Sequence, residues 1–431
     1  MLETAPGATT RVQDAIRRHT GGGPRRIAEN AGLVVTHGEG SYLVADSGRR
    51  YLDLATAMGV AAFGHGHPRI SNAIAEQNRR LNATVLHTPE HAAYLEMLAE
   101  ILPFGLDRTA LYSGGTEAVE VAVRLAQSVT GRRHLVSFTS GFHGKSTGLR
   151  YTGRRYAEER AWLGIDWVHD VPYPECLEHD VTTYAGCEDG GDTALEELER
   201  CASTLDGGVA AVIVEPILGT AGNRPPQRRF LAGLRRLCTE RGWLLIADES
   251  ITGMGRLGEW FAVQWYDVQP DVLILGKAIG GGFPLSGVAT DGDTWDRSLF
   301  AELSATSSSY GGNPVACAAG MAVIESIREE SLLENVRVVG SRLGAGLARL
   351  AEDSPYVARP RGVGLMLGFD LVDPATGALA DTALAQELFT AILDQGVLLA
   401  QVPAVRVNAP LTLSAAEADQ ALAALRAVLC R

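Results

Sequence analysis

The stretch that most constrains this chain runs from Trp243 to Pro284, WLLIADESITGMGRLGEWFAVQWYDVQPDVLILGKAIGGGFP. It holds two short apolar runs, Leu244–Ala247 and Val272–Leu275, each with the length and side-chain type of a strand buried on both faces. The first run delivers Asp248 and Glu249 at its carboxyl end, and the second delivers Lys277. Open α/β sheets bind their ligands just outside the carboxyl ends of the strands. If the two strands are neighbours, an acid and an amine face one crevice.

An acid and an amine so placed suit pyridoxal phosphate (PLP) chemistry. The lysine forms an imine with the cofactor aldehyde, and the carboxylate holds a proton on the pyridine nitrogen. Lysine usage sharpens the reading. Of 38 basic residues only Lys145 and Lys277 are lysines, so a generic surface cation in this chain is an arginine. The glycine-rich run after Lys277 also sets it apart from an ordinary solvated strand end.

Composition excludes several classes. The 431 residues suffice for one large α/β domain with appendages or for two or three domains. Apolar residues make up 46% and charged residues 21%, which describes a globular rather than a disordered chain. A net charge of −13 with no basic block argues against nucleic acid as a partner. No apolar run approaches membrane-spanning length, and residues 1–23 lack a signal-peptide core, so no membrane partner and a cytoplasmic location are expected. The six cysteines, at 176, 187, 201, 238, 317 and 430, are scattered without CxxC or a common metal spacing, so reduced thiols and no metal site are expected.

Along the chain, the residues up to Pro24 read as an arm or short helix (VQDAIRRH). From Gly38 to Val60 the alternation predicts an antiparallel meander with a hairpin at Asp46-Ser47-Gly48. His65 and His67 in GHGHP lack the partners of a metal site and read as a turn before a helix over 69–82. A strand over 109–112 leads through SGG into an amphipathic helix closed by Gly131, and its glycine-rich start is a candidate phosphate site without a Walker lysine. A strand over 134–138 ends in SGFHGKSTG, where the Phe142 ring stands either over a flat cofactor or as a loop cap on the core. The run 172–192 is loop-rich, Val209–Val214 is a buried strand delivering Glu215, and helices are predicted over 193–205 and 227–241. Helices over 314–329 and 332–350 follow, the second enclosing GSRLGAG, which is therefore no dinucleotide loop. Strands and two further helices complete the chain from Arg359.

These stations together resemble the class III (ω-amino acid type) aminotransferases. The resemblance runs from about Gly38 to the end, through GEGSYLVADSGRRYLDL, GHGHP, SGGTEAVEVAVRLA, GFHG, VEPI, ADESITGMGRLGEWF, PDVLILGKAIGGGFP, YGGNPVACAAG and VRVNAPLTL in order. It implies the aspartate-aminotransferase-like α/β fold (fold type I), a mostly parallel central sheet with a smaller α/β domain. The expected division is an amino-terminal arm and meander over 1–60, a large PLP-binding domain over 61–314 and a small domain over 315–431. It further implies that Lys277 carries PLP and moves the substrate proton, and that Asp248 pairs with the pyridinium. Gly115 and Thr116 would bind the phosphate, Phe142 would stack on the ring with His143 beside it, and Glu215 would be an acid near the cofactor. Ser309 stands where the family has a threonine reaching the phosphate of the neighbouring subunit, so the resemblance implies a homodimer with shared active sites.

Departures from the family pattern are concentrated at two positions. Ser250 replaces the apolar residue expected under the ring, and Ile251 replaces a glutamine expected to hydrogen-bond the ring hydroxyl, a loss that bears on the imine pKa. Lys145 follows Phe-His-Gly where amino-acid-specific members place arginine, and reads equally as a substrate contact or a surface cation. Arg406 matches the arginine that grips a 2-oxo acid carboxylate, and Met58 falls near the expected substrate mouth or in the core. The implied activity is transfer of an amino group between a primary amine or ω-amino acid and a 2-oxo acid such as 2-oxoglutarate or pyruvate. An aminomutase, a decarboxylating transaminase, a racemase and a non-catalytic homologue remain as alternatives at this point.

Overall fold

The structure is a computed structural model and describes residues 8–20, 26–145, 158, 160–400 and 403–431. Residues 1–7 and 21–25 of the expected arm, and 146–148 of the SGFHGKSTG run, lie outside the described residues; within the arm a helix spans Ala8–His19. Strands β1 (Val35–Glu39), β2 (Tyr42–Ala45) and β3 (Arg50–Asp53) form the predicted antiparallel meander. A seven-stranded sheet follows, built from β4 (Arg108–Tyr112), β5 (His134–Phe138), β6 (Val168–Val171), β7 (Val209–Val214), β8 (Leu244–Asp248), β9 (Val272–Leu275) and β10 (Ser286–Thr290). The carboxyl-terminal strands are β11 (Val357–Val363), β12 (Met366–Leu371), β13 (Val397–Leu398) and β14 (Ala404–Val407). β11, β12 and β14 form an antiparallel sheet of their own, while β13 pairs in parallel with β3 and so joins the two ends of the chain.

The order of the large sheet is β4-β10-β9-β8-β7-β5-β6, and only β10 runs against the rest. Helices cover its faces, which is why β5, β7 and β9 are buried at every position and β7 and β9 read as unbroken apolar runs. β8 and β9 are neighbours, with Asp248 opposite Ile274, and β7 lies on the other side of β8. Three adjacent parallel strands therefore present Glu215, Asp248 and Lys277 along one edge.

One predicted helix is shorter than expected. The helix expected from Gln227 starts at Phe230; the residues before it are held by contacts to the loop, Gln227 N–H to Pro174 C=O (2.7 Å) and Arg229 N–H to Asp189 C=O (2.9 Å). The glycines of GSRLGAG lie, as expected, inside the helix Leu332–Asp353. They serve packing: a methyl group at Gly340 would fall 2.4 Å from Gly364 O, and one at Gly344 or Gly346 would press on Val181 or Leu422.

Candidate active site

Lys277 follows β9 with a backbone φ of +46°, a left-handed conformation that a non-glycine residue holds only under the constraint of its surroundings. Those surroundings include the end of β8. Burial pushes the Lys277 ammonium below its ordinary pKa, Asp248 and Glu215 pull it back in part, and Arg406 lowers it further. The net lowering enlarges the share of neutral amine, the form that can act as nucleophile or base.

Asp248 is 4% exposed, and its Oδ2 lies 2.8 Å from His143 Nδ1. Burial alone would raise its pKa, but the His143 hydrogen bond and charge, the Ser250 side chain and Lys277 bring it below the usual carboxylate value. For His143 burial works downward, and Asp248, with Glu215 and Asp170 behind it, carries the imidazole above its usual value. The two groups thus hold each other charged. Glu215, also buried, accepts from the backbone N–H of Phe142 (2.8 Å) and of Gly219 (3.0 Å), so it fixes the loop that carries Phe142. Burial raises the Glu215 pKa, with His143 opposing it.

The helix Gly115–Thr130 begins after β4 with Gly114 as its cap, which makes no side-chain hydrogen bond, while Glu117 Oε2 accepts from the Ser113 N–H (3.2 Å) ahead of it. Its leading N–H groups are donors without helical acceptors, beside small residues. A methyl group at Gly115 would approach Ser250 Oγ to 3.7 Å, and one at Gly276 would meet it at 3.1 Å. Ser250 therefore sits between this helix start and the strand end bearing Lys277. Thr116 Oγ1 accepts from the backbone N–H of Lys145 (3.3 Å), which ties the Phe142 loop to the same turn. The Lys145 side chain is exposed.

Ile251 is buried at 6% exposure. Its Cδ1 fills the space a side chain at Gly219 would need, at 2.3 Å, and its Cγ2 and Lys277 Cδ each lie 3.8 Å from a methyl placed on Gly59. Gly59 closes a segment in which the sequence reading singled out Met58 alone. Thr56, Ala57 and Met58 all have positive φ, and Met58 Sδ accepts from Arg406 Nη2 at 2.8 Å. Asp53 and Asn408 make this turn: Asp53 Oδ1 accepts from the N–H of Ala55 and Thr56 (2.9 Å each), while Thr56 Oγ1 donates to Asn408 O (2.6 Å). His65 braces Asp53 through Nε2 at 2.9 Å, so the first histidine of GHGHP has a structural duty. Met58 and Arg406 were named from the sequence, but nothing in it announces that Asp53, Thr56 and Asn408 bring the two together.

The structure thus gathers Lys277, Asp248, His143, Glu215, Phe142, Ile251, Met58 and Arg406 about one crevice, with Gly115 and Thr116 joined to it through Ser250 and the Lys145 backbone. Ser309 is exposed, in the loop between the short helix Leu299–Ala301 and the helix from Pro314.

Comparison with known proteins agrees with this geometry. Residues 25–429 match the sequence profile of the family Aminotransferase class-III. The chain is a class III aminotransferase. It is 37% identical over 393 residues to acetylornithine aminotransferase 1 of Bordetella pertussis, covering 89% of this chain and 92% of that one. With 5-aminovalerate aminotransferase DavT of Pseudomonas putida the identity is 32%, covering 95% and 96%. Among solved structures, an amine transaminase from an uncultivated Pseudomonas species in its PLP-bound form superposes with a TM-score of 0.83 at 29% identity, covering 93% and 95%. The aminotransferase is accordingly a PLP-dependent transaminase of fold type I. Among its described residues no helix is long and apolar enough to cross a membrane.

Glu249, next to Asp248, is turned the other way. It accepts from Val263 N–H (2.8 Å) and the Thr252 hydroxyl, and burial pushes it up to about 7. The folded aminotransferase therefore keeps a proton that the unfolded chain releases near pH ~4.3, so stability falls as pH rises from there to about 7, by roughly 4 kcal/mol in all. Glu249→Gln removes that titration. The variant's melting temperature is expected to gain on wild type from pH 5 to pH 7 and to hold a constant lead above; an unchanged difference across this range would refute the assignment.

Proposed function

We propose that this aminotransferase moves an amino group between a primary amine or ω-amino acid, or the corresponding aldehyde or ketone, and a 2-oxo acid such as 2-oxoglutarate or pyruvate. The observation that carries the reading is the crevice itself, a neutral-leaning Lys277 between the Asp248–His143 pair and the Met58–Arg406 pair. PLP, when bound, supplies an electron sink for a carbanion at the substrate carbon and carries the amino group between the two half-reactions. The residues present fit it. The open first turn at Gly115 and Thr116, widened by the missing side chain beside Ser250, is suited to the phosphate. Asp248, kept ionised in a buried place, is suited to a protonated ring nitrogen, and Phe142 to the ring face.

In this reading Lys277 Nζ holds the cofactor, then takes the proton from the substrate carbon and returns it on the other side of the transfer. Asp248 stays charged throughout, and His143 stabilises that charge through Nδ1. Glu215 acts through the backbone N–H of Phe142. Ile251 and Met58 form apolar walls, and Arg406 offers a guanidinium to a carboxylate. The names of the relatives, acetylornithine and 5-aminovalerate enzymes, support a donor amine at the end of a carbon chain. Lys145, at the rim, is suited to a polar group at that chain's far end.

Purified enzyme should be yellow, and borohydride should attach the cofactor to Lys277. ω-Amino acids should bleach the colour and 2-oxoglutarate or pyruvate restore it; no bleaching by amines or ω-amino acids overturns the donor class. For Arg406→Gln, the KM of the 2-oxo acid is expected to rise about 10- to 100-fold, the equivalent of a charge-assisted hydrogen bond of roughly 1.5–3 kcal/mol. An unchanged KM would remove Arg406 from the site.

The proposed assembly is a cytoplasmic homodimer in which Ser309 reaches the partner's phosphate site. Exposed apolar side chains support a covered surface here: Val85 is 92%, Leu86 76% and Leu303 97% exposed, and Ala83 and Tyr310 line one cavity beside Ser113. The domain division at about 60 and 315 belongs to the same proposal, with the meander and the segment after 315 forming the smaller unit.

A further inference from the structure

The run 172–192 plays no part in the chemistry above, yet it is tightly organised. Cys176 N–H donates to Pro225 O (3.0 Å), and Tyr184 Oη bonds Pro226 O (2.8 Å) and Tyr266 Oη (2.7 Å). Asp180 turns the chain back by accepting from the N–H of Thr182 (2.8 Å) and Thr183 (3.0 Å). The result is a cluster. Cys176 Sγ lies 3.6 Å from Cys187 Sγ and 3.6 Å from His179 Nδ1, and Asp189 Oδ2 lies 3.8 Å from Cys187 Sγ. The ligand atoms of Cys176, His179 and Cys187 are all within 4.8 Å of one another. Both cysteines are buried, at 5% and 1% exposure, and both are free thiols.

These separations are those of ligands about a tetrahedral ion. Metal–sulfur bonds of about 2.3 Å and metal–nitrogen bonds of about 2.0–2.1 Å, at tetrahedral angles, put sulfur atoms ~3.8 Å apart and sulfur ~3.6 Å from nitrogen. Two thiolates and an imidazole select Zn²⁺ over the hard cations Mg²⁺ and Ca²⁺. The spacing C-x2-H-x7-C is not one of the common zinc patterns, so sequence spacing alone favours free thiols; the Asp180 turn is what brings the three together.

We propose that Cys176, His179 and Cys187 hold a Zn²⁺ ion, with a water molecule at the fourth position. On binding, Zn²⁺ displaces one proton from each thiol to solvent, two per ion, and His179 binds through Nδ1 as the neutral ring. The ion braces the loop rather than joining in catalysis. Glu175, next to Cys176, pairs with Arg224 on the wall of a cavity of about 580 Å³ also lined by Thr139, Tyr173 and Ala404. Arg224 in turn reaches Asp370 of β12 at 3.3 Å, so the brace spans from the large sheet to the carboxyl-terminal strands.

The test uses the full-length, PLP-loaded enzyme, purified without chelator or reductant and then equilibrated with ZnCl₂ and desalted. Elemental analysis should find one zinc per chain, and all six cysteines should titrate as thiols after denaturation in chelator. The double variant Cys176→Ser/Cys187→Ser should lose the zinc, while Cys238→Ser, buried elsewhere, should keep it. Stripping wild type with a chelator should expose residues 172–189 to limited proteolysis at least tenfold faster. Absence of zinc in soluble wild type overturns the proposal, whatever the variants do. So does a Cys176–Cys187 disulfide with only four thiols titrating, because such a bond consumes both thiolates and leaves His179 alone.

Discussion

Lys277→Ala is expected to lower turnover by on the order of 10⁴-fold, the upper end of what one positioned acid–base group contributes. The argument is structural as well as chemical. The only other lysine, Lys145, has an exposed side chain, so no second amine stands in the crevice to take over. The phosphate turn at Gly115 and the Asp248–His143 pair do not depend on the lysine side chain, so the variant should still take up cofactor and fold. It should give no borohydride-fixed adduct. Turnover within tenfold of wild type, or an adduct at another residue, would sink the assignment.

Asp248→Asn is the second large effect. In the proposed reading, removing the charge takes away the partner of a ring nitrogen; it also removes the group that favours the charged form of the buried His143. A loss of about 10²- to 10³-fold in kcat is expected, the range for deleting one preorganised electrostatic contact. Burial then dominates at His143, and its pKa should fall below the ordinary imidazole value, observable by ring-proton NMR. Stability should change its pH dependence as well. In wild type the depressed Asp248 value contributes stability present above pH ~3.9 and lost as pH falls through the folded value. The raised His143 value contributes stability present below pH ~6.5 and lost as pH rises through the folded value. Asp248→Asn should remove the first limb and reverse the second, because a His143 whose folded pKa lies below its unfolded value loses stability as pH falls instead of as it rises. A variant with wild-type kcat and an unmoved His143 would refute the pairing.

Much of the central sheet was legible because parallel strands covered on both faces must be apolar at every position. Val209–Val214 and Val272–Leu275 carry that pattern in four to six consecutive residues, with no other element competing for it. The residues after such strands are then known to lie on one edge, which is why Glu215, Asp248 and Lys277 could be named before any geometry. Helix bounds were less legible. Gln227 looks helical by composition, yet it precedes the helix and its N–H bonds Pro174 C=O, a contact that no local signal announces.

The departures read from sequence gained a physical meaning only in three dimensions. Ser250 is not simply a smaller residue under a ring; its hydroxyl lies against Gly115 and Gly276, between the phosphate turn and the lysine. Ile251 is not merely a lost hydrogen bond, since its side chain occupies the space that Gly219 leaves and packs toward Gly59. Variation at these positions changes the shape of the crevice together with its polarity.

By itself the sequence placed the residues at the strand ends, because buried parallel strands show as apolar runs, while the fold type and the cofactor followed from the ordered motifs that resemble the class III family. Only the tertiary structure decided which distant segments complete the site. The left-handed turn at Thr56–Gly59 meets Arg406 because β13 and Asn408 bring the two ends of the chain together, and Cys176, His179 and Cys187 converge because Asp180 folds their loop back. Such contacts depend on packing between elements far apart in the chain, and residue order alone does not encode them locally.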